Sequence, residues 1–415
     1  MRRKLGGSVL SSLAVSVCLL CGRASAAEPA ARTVGPWNLT ALAEAPPATW
    51  GETIDGTQQV YYQGEPLNGK PTRVFAYYGR PDGDGPFAAM LLVHGGGGTA
   101  FAEWVRLWTA RGYAALAMDL GGCGPVTEPG QKIGPRLPDG GPGQSHDYKF
   151  ANFEDEQVGK MWTYHAVAAV VRGHSLLVSL DEVDPDRIGV TGISWGGYLT
   201  CIVAGVDDRL KVAVPVYGCG FLHHNSTWLK IFAQMSPEQR DRWVRWFDPS
   251  QYLPNVRCPI LFINGTNDFA YPLDSYQKSY RAVPGPICLR IEVGMKHSQS
   301  AGSTPAEIGL FVDSVLGGGD PLPTLARMNT TGGRASAAFD ADVPIVRGEL
   351  HWTTDSGPWQ EREWQSVAAE FAEGRVAADL PAERPLVYYL SITDDRGAMV
   401  STEHAVLSEQ RAADD

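Results

Sequence analysis

The sequence has few cysteines for its length and lacks long runs of charge. Seven cysteines occur in 415 residues, and two of them, Cys18 and Cys21, lie near the N-terminus, before the part that we expect to fold. The other five are an odd number at wide spacing, which excludes a disulfide framework. Cys258 and Cys288 would begin neighbouring strands, so a single disulfide between these two stays open. The formal net charge of −11, with no basic stripe, predicts no nucleic-acid partner.

The N-terminus has the features of a cleavable secretory signal. Three basic residues at positions 2–4 precede an apolar stretch over residues 5–22, and the small residues Ala24-Ser25-Ala26 follow. The apolar stretch contains glycine and serine and is too short for a membrane anchor. We therefore expect residues 1–26 to be a signal peptide and the mature chain to be secreted or periplasmic, with no integral membrane segment.

A Gly-x-Ser-x-Gly pentad lies between a predicted strand and a predicted helix. Gly192 and Gly196 flank Ser194 at the two positions where a side chain would collide with the crossing backbone of a tight turn. Such a turn lifts the serine hydroxyl out of the sheet edge and directs the next N–H, that of Trp195, at a nearby oxyanion. The pentad predicts Ser194 as a nucleophile; the alternative is a glycine-rich turn with an incidental serine.

A nucleophilic serine needs a general base, and that base needs an orienting acid. Residues 258–265 and 288–293 are predicted strands, and Asp268 and His297 lie in the loops directly after them. A single Asp or His is most often a capped loop residue, but two in this order, each after a strand, favour chemistry. The sequence predicts the triad Ser194, Asp268 and His297.

A glycine run follows the apolar stretch 87–93, which predicts a buried strand. Glycines let backbone amides approach a ligand without obstruction. We expect Gly96 or Gly97 to supply the second oxyanion donor beside the Trp195 N–H, and His94, just before the run, to line the substrate pocket. A flexible surface loop is the alternative.

Residues 218–254 interrupt the alternation of strands and helices with many aromatic residues, which predicts a lid over the site. Phe221 and Trp228 of the lid, with Phe269 and Tyr271 beside the acid, are predicted pocket residues. The adjacent His223-His224 pair has no carboxylate or cysteine at ligand spacing, so we expect no metal and no other cofactor.

The pattern changes after the Gly/Pro-rich stretch 317–323. Apolar residues then recur with a period of two, as at Leu386, Tyr388, Leu390 and Ile392, which predicts short strands and a small β-sandwich. We divide the chain into an arm over 27–56, an α/β domain over 57–318 and an all-β domain over 319–415.

The chain resembles the α/β-hydrolase superfamily, and more narrowly the secreted bacterial proteins similar to dienelactone hydrolases or acetyl xylan esterases that carry a β-sandwich tail. The resemblance rests on residues 94–101, 104–119, 162–165, 192–198, 216–221 and 265–272, and more weakly on 349–364 and 394–404. It implies an α/β fold with a mostly parallel central sheet flanked by helices. Dienelactone hydrolases proper use a cysteine nucleophile, so Ser194 departs from them and favours ester chemistry.

These features predict a secreted serine ester hydrolase that works through an acyl-enzyme, with a small acyl group such as acetyl on a carbohydrate or other small-molecule ester. One alternative is a serine peptidase resembling the prolyl oligopeptidase group, which shares the order of the triad. Another is a scaffold without activity that binds carbohydrate or a protein partner through the sandwich. The sequence does not predict the oligomeric state.

Overall fold

The computed structural model describes residues 32–408 except residue 129, and the structural statements below refer to these residues. The predicted signal peptide over residues 1–26 lies outside them. No helix in this part of the chain is long and apolar enough to cross a membrane.

A nine-stranded sheet forms the centre of the molecule. The strands up to the end of this sheet are β1 (Thr33–Val34), β2 (Trp37–Asn38), β3 (Ala48–Ile54), β4 (Thr57–Gln63), β5 (Arg73–Gly79), β6 (Phe87–Val93), β7 (Ala114–Met118), β8 (Val183–Ile193), β9 (Val212–Val216), β10 (Ile260–Gly265) and β11 (Ile287–Glu292). The spatial order is β11-β10-β9-β8-β6-β7-β5-β4-β3, while β1 pairs with β2 alone. The six strands from β11 to β7 run parallel, and β5, β4 and β3 continue the sheet antiparallel.

Helices connect and cover the parallel strands. They are α1 (Leu39–Leu42), α2 (Ala102–Ala110), α3 (His146–Lys149), α4 (Trp162–Val178), α5 (Trp195–Val206), α6 (Leu229–Phe232), α7 (Pro237–Phe247), α8 (Leu273–Arg281), α9 (Gln299–Ser303) and α10 (Ala306–Val312), which continues into a π-helical turn at Asp313–Gly317. Strands β7, β9 and β10 are buried along their whole length. Helices cover both faces of a parallel sheet, so its central strands are buried on both sides and their sequences are continuous apolar runs. The predicted α/β-hydrolase fold is confirmed.

The predicted N-terminal arm contains a strand of the central sheet. β3 lies at the antiparallel edge and pairs with β4, which in turn pairs with β5. Sequence analysis missed β3 because six of its seven residues are exposed, so its sequence lacks the buried alternation that marks a strand.

The predicted lid region over residues 218–254 holds α6, α7 and two short 3₁₀ turns at Pro249–Gln251 and Leu253–Asn255. The N-terminus of α7 is fixed by a capping box between Ser236 and Gln239, with proline in the first turn. Trp243 and Phe247 of this helix turn inward and are fully buried, whereas Trp246 is partly exposed.

Two antiparallel sheets follow the π-helical turn, consistent with the predicted β-sandwich. Their strands are β12 (Thr324–Leu325), β13 (Asn329–Thr331), β14 (Arg334–Asp340), β15 (Ile345–Thr353), β16 (Gln365–Ala368), β17 (Glu370–Ala372), β18 (Arg375–Asp379), β19 (Leu386–Asp394), β20 (Met399–Ser401) and β21 (Ala405–Leu407). One sheet has the order β12-β14-β18-β17 with β13 on β14, and the other has the order β16-β15-β19-β20 with β21 on β19.

Strand β19 is buried on both faces, although its period-two pattern predicts one buried face. The second face lies against the edge of the central sheet, where the Tyr389 hydroxyl donates to the carbonyl of Ile291 at 3.1 Å. The Ile291 N–H in turn donates to Ser401 Oγ at 3.0 Å. Because the described residues belong to one compact unit, the division into domains stays a prediction.

All five cysteines of the described chain are free thiols. Burial raises the pKa of the Cys258 thiol to about 11 and that of Cys288 to about 12.

Candidate active site

The predicted nucleophile lies at the sharp turn between β8 and α5. Ser194 has φ 61° and ψ −118°, a backbone conformation that costs on the order of 1–3 kcal/mol for a residue with a side chain. A Cβ on Gly192 would collide with the carbonyl of Gly196, and a Cβ on Gly196 would collide with the carbonyl of Val93. The pentad therefore needs glycine at both positions because the backbones cross in contact.

His297 and Asp268 form a close hydrogen-bonded pair at the carboxyl edge of the sheet. Nδ1 of His297 lies 2.6 Å from Oδ2 of Asp268. The other carboxylate oxygen accepts the backbone N–H groups of Ala270 at 2.9 Å and Tyr271 at 2.8 Å. Asp268 is 2% exposed, so the acid is fixed in a dry environment and the Nε2 atom of the imidazole stays available for a proton transfer.

Aromatic rings hold the plane of this imidazole. Tyr217 stacks on His297 with ring centroids 4.3 Å apart and an interplanar angle of 22°. The Tyr217 hydroxyl donates to the carbonyl of Lys296 at 2.6 Å, which ties the ring to the loop that carries the histidine. Sequence analysis missed Tyr217. Tyr217 directly follows β9, which lies between the strands that precede Ser194 and Asp268. This position could have indicated a residue of the site.

Backbone contacts bring the serine turn to the same edge. The Ser194 N–H donates to the carbonyl of Val216 at 2.9 Å, one residue before the tyrosine that stacks on His297. In the described part of the chain the Ser194 hydroxyl forms no hydrogen bond, and the residue is partly exposed. Catalytic hydrogen bonds are often long in unliganded sites and shorten when substrate binds. The geometry joins His297 to Asp268 and leaves the serine hydroxyl free, so the triad stays a prediction.

The predicted oxyanion donors differ in their availability. Trp195 is the first residue of α5, so its N–H has no acceptor within the helix. The Gly97 N–H donates to the side-chain oxygen of Gln144 at 3.1 Å, and the amide nitrogen of Gln144 donates to the Gly98 carbonyl at 3.0 Å. Within the described residues, the Gly96 N–H donates no hydrogen bond. The geometry thus favours Gly96 over Gly97.

His94 lies beneath the glycine loop, and its location does not support the predicted pocket role. The residue is 1% exposed, and its Nε2 accepts the backbone N–H of Leu120 at 2.9 Å. Its Nδ1 therefore carries the proton and donates to the carbonyl of Gly95 at 2.7 Å. Burial lowers the pKa of His94, which keeps the ring neutral. His94 orients the glycine loop from behind.

The other predicted pocket residues divide into buried and exposed ones. Trp228 is 6% exposed and packs 4.6 Å from the Trp195 ring, so it supports the wall of the site. Tyr271 is fully buried and stacks at 6.3 Å from His297. Phe269 is 55% exposed with its ring 4.7 Å from the imidazole, which places it at the rim. Phe221 lies 5.5 Å from His224, and no contact joins it to the triad in the described chain.

A lysine that sequence analysis missed lies behind the glycine loop. Lys149 is 3% exposed, and its ammonium lies over the rings of Trp195 and Trp162 at 4.2 Å and 4.5 Å. It ends the short helix α3, after a Gly/Pro-rich loop whose sequence has no periodicity.

In the described part of the chain no group of three His, Cys, Asp or Glu side chains is placed to hold a metal ion.

Comparisons with known proteins find similar proteins among peptidases and esterases. Residues 138–285 match the prolyl oligopeptidase family, a segment that includes Ser194 and Asp268 and ends before His297. The uncharacterized peptidase YuxL of Bacillus subtilis is 25% identical over 218 residues, which are 49% of this chain and 29% of that protein. The acetyl esterase Axe7A of Xylanibacter ruminicola is 24% identical over 212 residues, 48% of this chain and 46% of that protein.

Among solved structures, an acetyl xylan esterase from Paenibacillus sp. R4 superposes with a TM-score of 0.50 at 24% identity, covering 63% of this chain and 87% of that one. This likeness concerns the fold. The chain spans less than half the length of these two curated relatives. The chain therefore has the α/β-hydrolase fold with a strand-turn-helix pentad at Ser194, and its residues 138–285 match the prolyl oligopeptidase family.

Proposed function

We propose that this protein is a secreted serine carboxylic-ester hydrolase that acts through an acyl-enzyme. The observation that carries the proposal is the buried Asp268–His297 pair at the same sheet edge as Ser194, whose backbone has the strained geometry of a nucleophile turn. A serine hydroxyl is a weak nucleophile until a neighbouring base removes its proton. An imidazole whose other nitrogen is held by a carboxylate is suited to that role.

The proposed reaction has two steps. His297 accepts the Ser194 proton at Nε2 while the serine oxygen attacks the ester carbonyl, and the protonated imidazole then donates that proton to the leaving alcohol. Water is activated by the same histidine, attacks the acyl-enzyme and releases the carboxylic acid. Asp268 stabilises the imidazolium in both steps.

The negative charge of each tetrahedral intermediate would be held by two backbone N–H groups. The N–H of Trp195 has no acceptor in its helix, and the N–H of Gly96 is free in the described chain. Each donor of this kind contributes about 2.7–4 kcal/mol of transition-state stabilisation. Gly97 keeps the loop in place through Gln144 instead.

The acyl side of the site favours a small group. Next to Ser194, the ring of Trp195 packs on Trp228, which in turn packs on Tyr271. All three are at most 6% exposed, which leaves little room for a long chain. Axe7A, which matches 48% of this chain, is named an acetyl esterase. Together with the predicted signal peptide, these observations support an acetyl group carried by a carbohydrate outside the cytoplasm.

A serine peptidase is the second candidate, favoured by the match of residues 138–285 to the prolyl oligopeptidase family. The same triad would cleave an amide, although an amine is a poorer leaving group than an alcohol. The geometry of the triad does not distinguish the two reactions.

The kcat/KM for p-nitrophenyl acetate, compared with that for a proline-containing p-nitroanilide, distinguishes an esterase from a peptidase. The esterase proposal predicts higher kcat/KM for the acetate, a fall from acetate to butyrate to octanoate, and release of acetate from acetylated xylan. Ser194→Ala should lower kcat on the order of 10⁴–10⁶-fold, whereas the exposed Ser356→Ala should not change it. Faster turnover of the anilide would overturn the esterase proposal in favour of a peptidase.

A further inference from the structure

Lys149 is a buried cation directly behind the proposed oxyanion site. Its ammonium lies between the rings of Trp162 on α4 and Trp195 on α5. A Cβ built on Gly96 would lie 3.5 Å from the lysine nitrogen and 2.6 Å from Cδ1 of Trp195. The ammonium therefore contacts the ring of Trp195 and lies beside Gly96, the two residues that carry the proposed oxyanion donors.

The positive charge of Lys149 has no anionic partner in the described part of the chain. Burial alone lowers the pKa of Lys149 to about 7, with no carboxylate to oppose the effect. In the described part of the chain the ammonium lies over the two indole rings and beside Gly96, and its charge acts on His94, which is buried and neutral. Cation–π contacts of about 0.5–2 kcal/mol each offset only part of the cost of burying a charge.

We propose that Lys149 is an electrostatic positioning residue of the active site, whose ammonium supports the oxyanion through Trp195 and Gly96. The charge favours a negative tetrahedral intermediate over the neutral ester ground state, and the cation–π contact fixes the helix terminus whose first N–H is the donor. This inference rests on the proposed ester hydrolysis and adds a group to that machinery.

Physical considerations favour this role over a purely structural one. An apolar side chain of similar length, such as methionine, would fill the space between two tryptophan rings without the cost of a buried charge. The stabilisation that a charge gives to a developing oxyanion is large in a dry site, because little water screens it. An anionic group of the substrate is a less suitable partner, since Lys149 is only 3% exposed.

The test compares Lys149→Met and Lys149→Arg with the exposed control Lys132→Met, using p-nitrophenyl acetate. Active-site titration with a fluorophosphonate normalises each rate to the folded, reactive fraction. For Lys149→Met we expect kcat per titrated site to fall about 10–100-fold with KM within about threefold, because an interaction specific to the transition state is lost. Lys132→Met should match the wild type.

The pH profile supplies a readout that a structural role would not move. The wild type should lose kcat/KM as pH rises through about 7, when Lys149 loses its proton. Lys149→Arg stays charged at all these pH values, so it should keep activity at alkaline pH and lack this decline. Lys149→Met should also lack the decline, at a lower plateau.

Lys149→Met with the kcat per site and pH profile of the wild type would overturn the inference. If that variant yields no folded protein, the wild type decides: constant kcat/KM from about pH 7 to 9 overturns the inference, and a decline supports it. If the wild type hydrolyses no ester and Ser194 is not labelled, the proposed function itself fails. If the wild type is active and labelled while Lys149→Met is unchanged, only the role of Lys149 fails.

Discussion

The Nδ1 atom of His297 lies 2.6 Å from the Oδ2 atom of Asp268, and both oxygens of that carboxylate are engaged in hydrogen bonds. The acid therefore fixes the tautomer and the direction of the ring together. Tyr217 stacks on the face of the His297 ring. The imidazole therefore has little freedom to rotate away from the sheet edge where Ser194 lies.

Asp268→Asn should preserve the packing of the site and remove most of the catalytic activity. An amide can donate to Nδ1 and would place the ring proton on Nε2, the atom that must accept the serine proton. We expect kcat for p-nitrophenyl acetate to fall on the order of 10⁴-fold with little change in thermal stability. The exposed Asp241→Asn is the matched control. Activity within tenfold of the wild type would show that this carboxylate is not the acid.

Gly96→Ala should damage the oxyanion site more than Gly97→Ala. A methyl group on Gly96 would lie 2.6 Å from the Trp195 ring, so loop and indole must separate. A methyl group on Gly97 meets nothing within 4 Å, although its φ of 70° costs roughly 1 kcal/mol of strain. We expect a loss in kcat on the order of 10²–10³-fold for the first and less than about tenfold for the second. The reverse order would assign the donor to Gly97.

Asn267 links the loop that carries Asp268 to the segment between β15 and β16. Its side-chain amide donates to the carbonyls of Gln360 at 3.3 Å and Arg362 at 2.7 Å. Asn267→Ala should lower the free energy of unfolding by about 1–2 kcal/mol and reduce kcat several-fold, because Asp268 is the next residue. Urea unfolding followed by circular dichroism checks the first effect, with the exposed Asn255→Ala as control. An unchanged kcat would mean that the tail does not help to position the acid.

His351 should make stability depend on pH. It is 5% exposed between Ser366 and Ser391, and burial lowers its pKa from about 6.5 to about 4. Between these values the unfolded chain binds a proton that the folded chain does not. This contribution is therefore fully present above about pH 6.5 and is lost as pH falls towards 4, by about 2–4 kcal/mol.

The slope of the unfolding free energy against pH reports how many more protons the unfolded chain binds than the folded chain. Near pH 5, His351→Gln should lower that number by about one, as measured by urea unfolding at several pH values. His404, whose pKa burial lowers to about 3, still contributes a slope in that variant. An unaltered slope would contradict the neutral, buried state of His351.

The fold was predictable because most strands of the central sheet, such as β7, β9 and β10, are continuous buried runs. The pentad around Ser194 marks one end of β8, and Asp268 and His297 follow β10 and β11 directly. These are local patterns, so the sequence contains them without any knowledge of the packing. The exposed edge strand β3 lacks such a pattern, which is why residues 48–54 were expected to be part of an arm.

The residues that sequence analysis missed act through contacts between distant segments. Gln144 and Lys149 follow a Gly/Pro-rich loop without periodicity and meet the glycine run about fifty residues earlier in the chain. His94 was expected in the pocket because it adjoins the glycine run, but its ring faces the backbone of Leu120. Only the crossing of these segments decides which side chains face the substrate.

Trapping the acyl-enzyme tests the proposed mechanism directly. The protein would be mixed with p-nitrophenyl acetate, quenched in acid within the first turnover and digested for peptide mass spectrometry. We predict one acetyl group on the peptide that contains Ser194, and a larger fraction of this acetylated peptide in a His297→Ala variant supplied with a more reactive ester. An acetyl group confined to another residue, or full turnover by Ser194→Ala, would contradict the proposed mechanism.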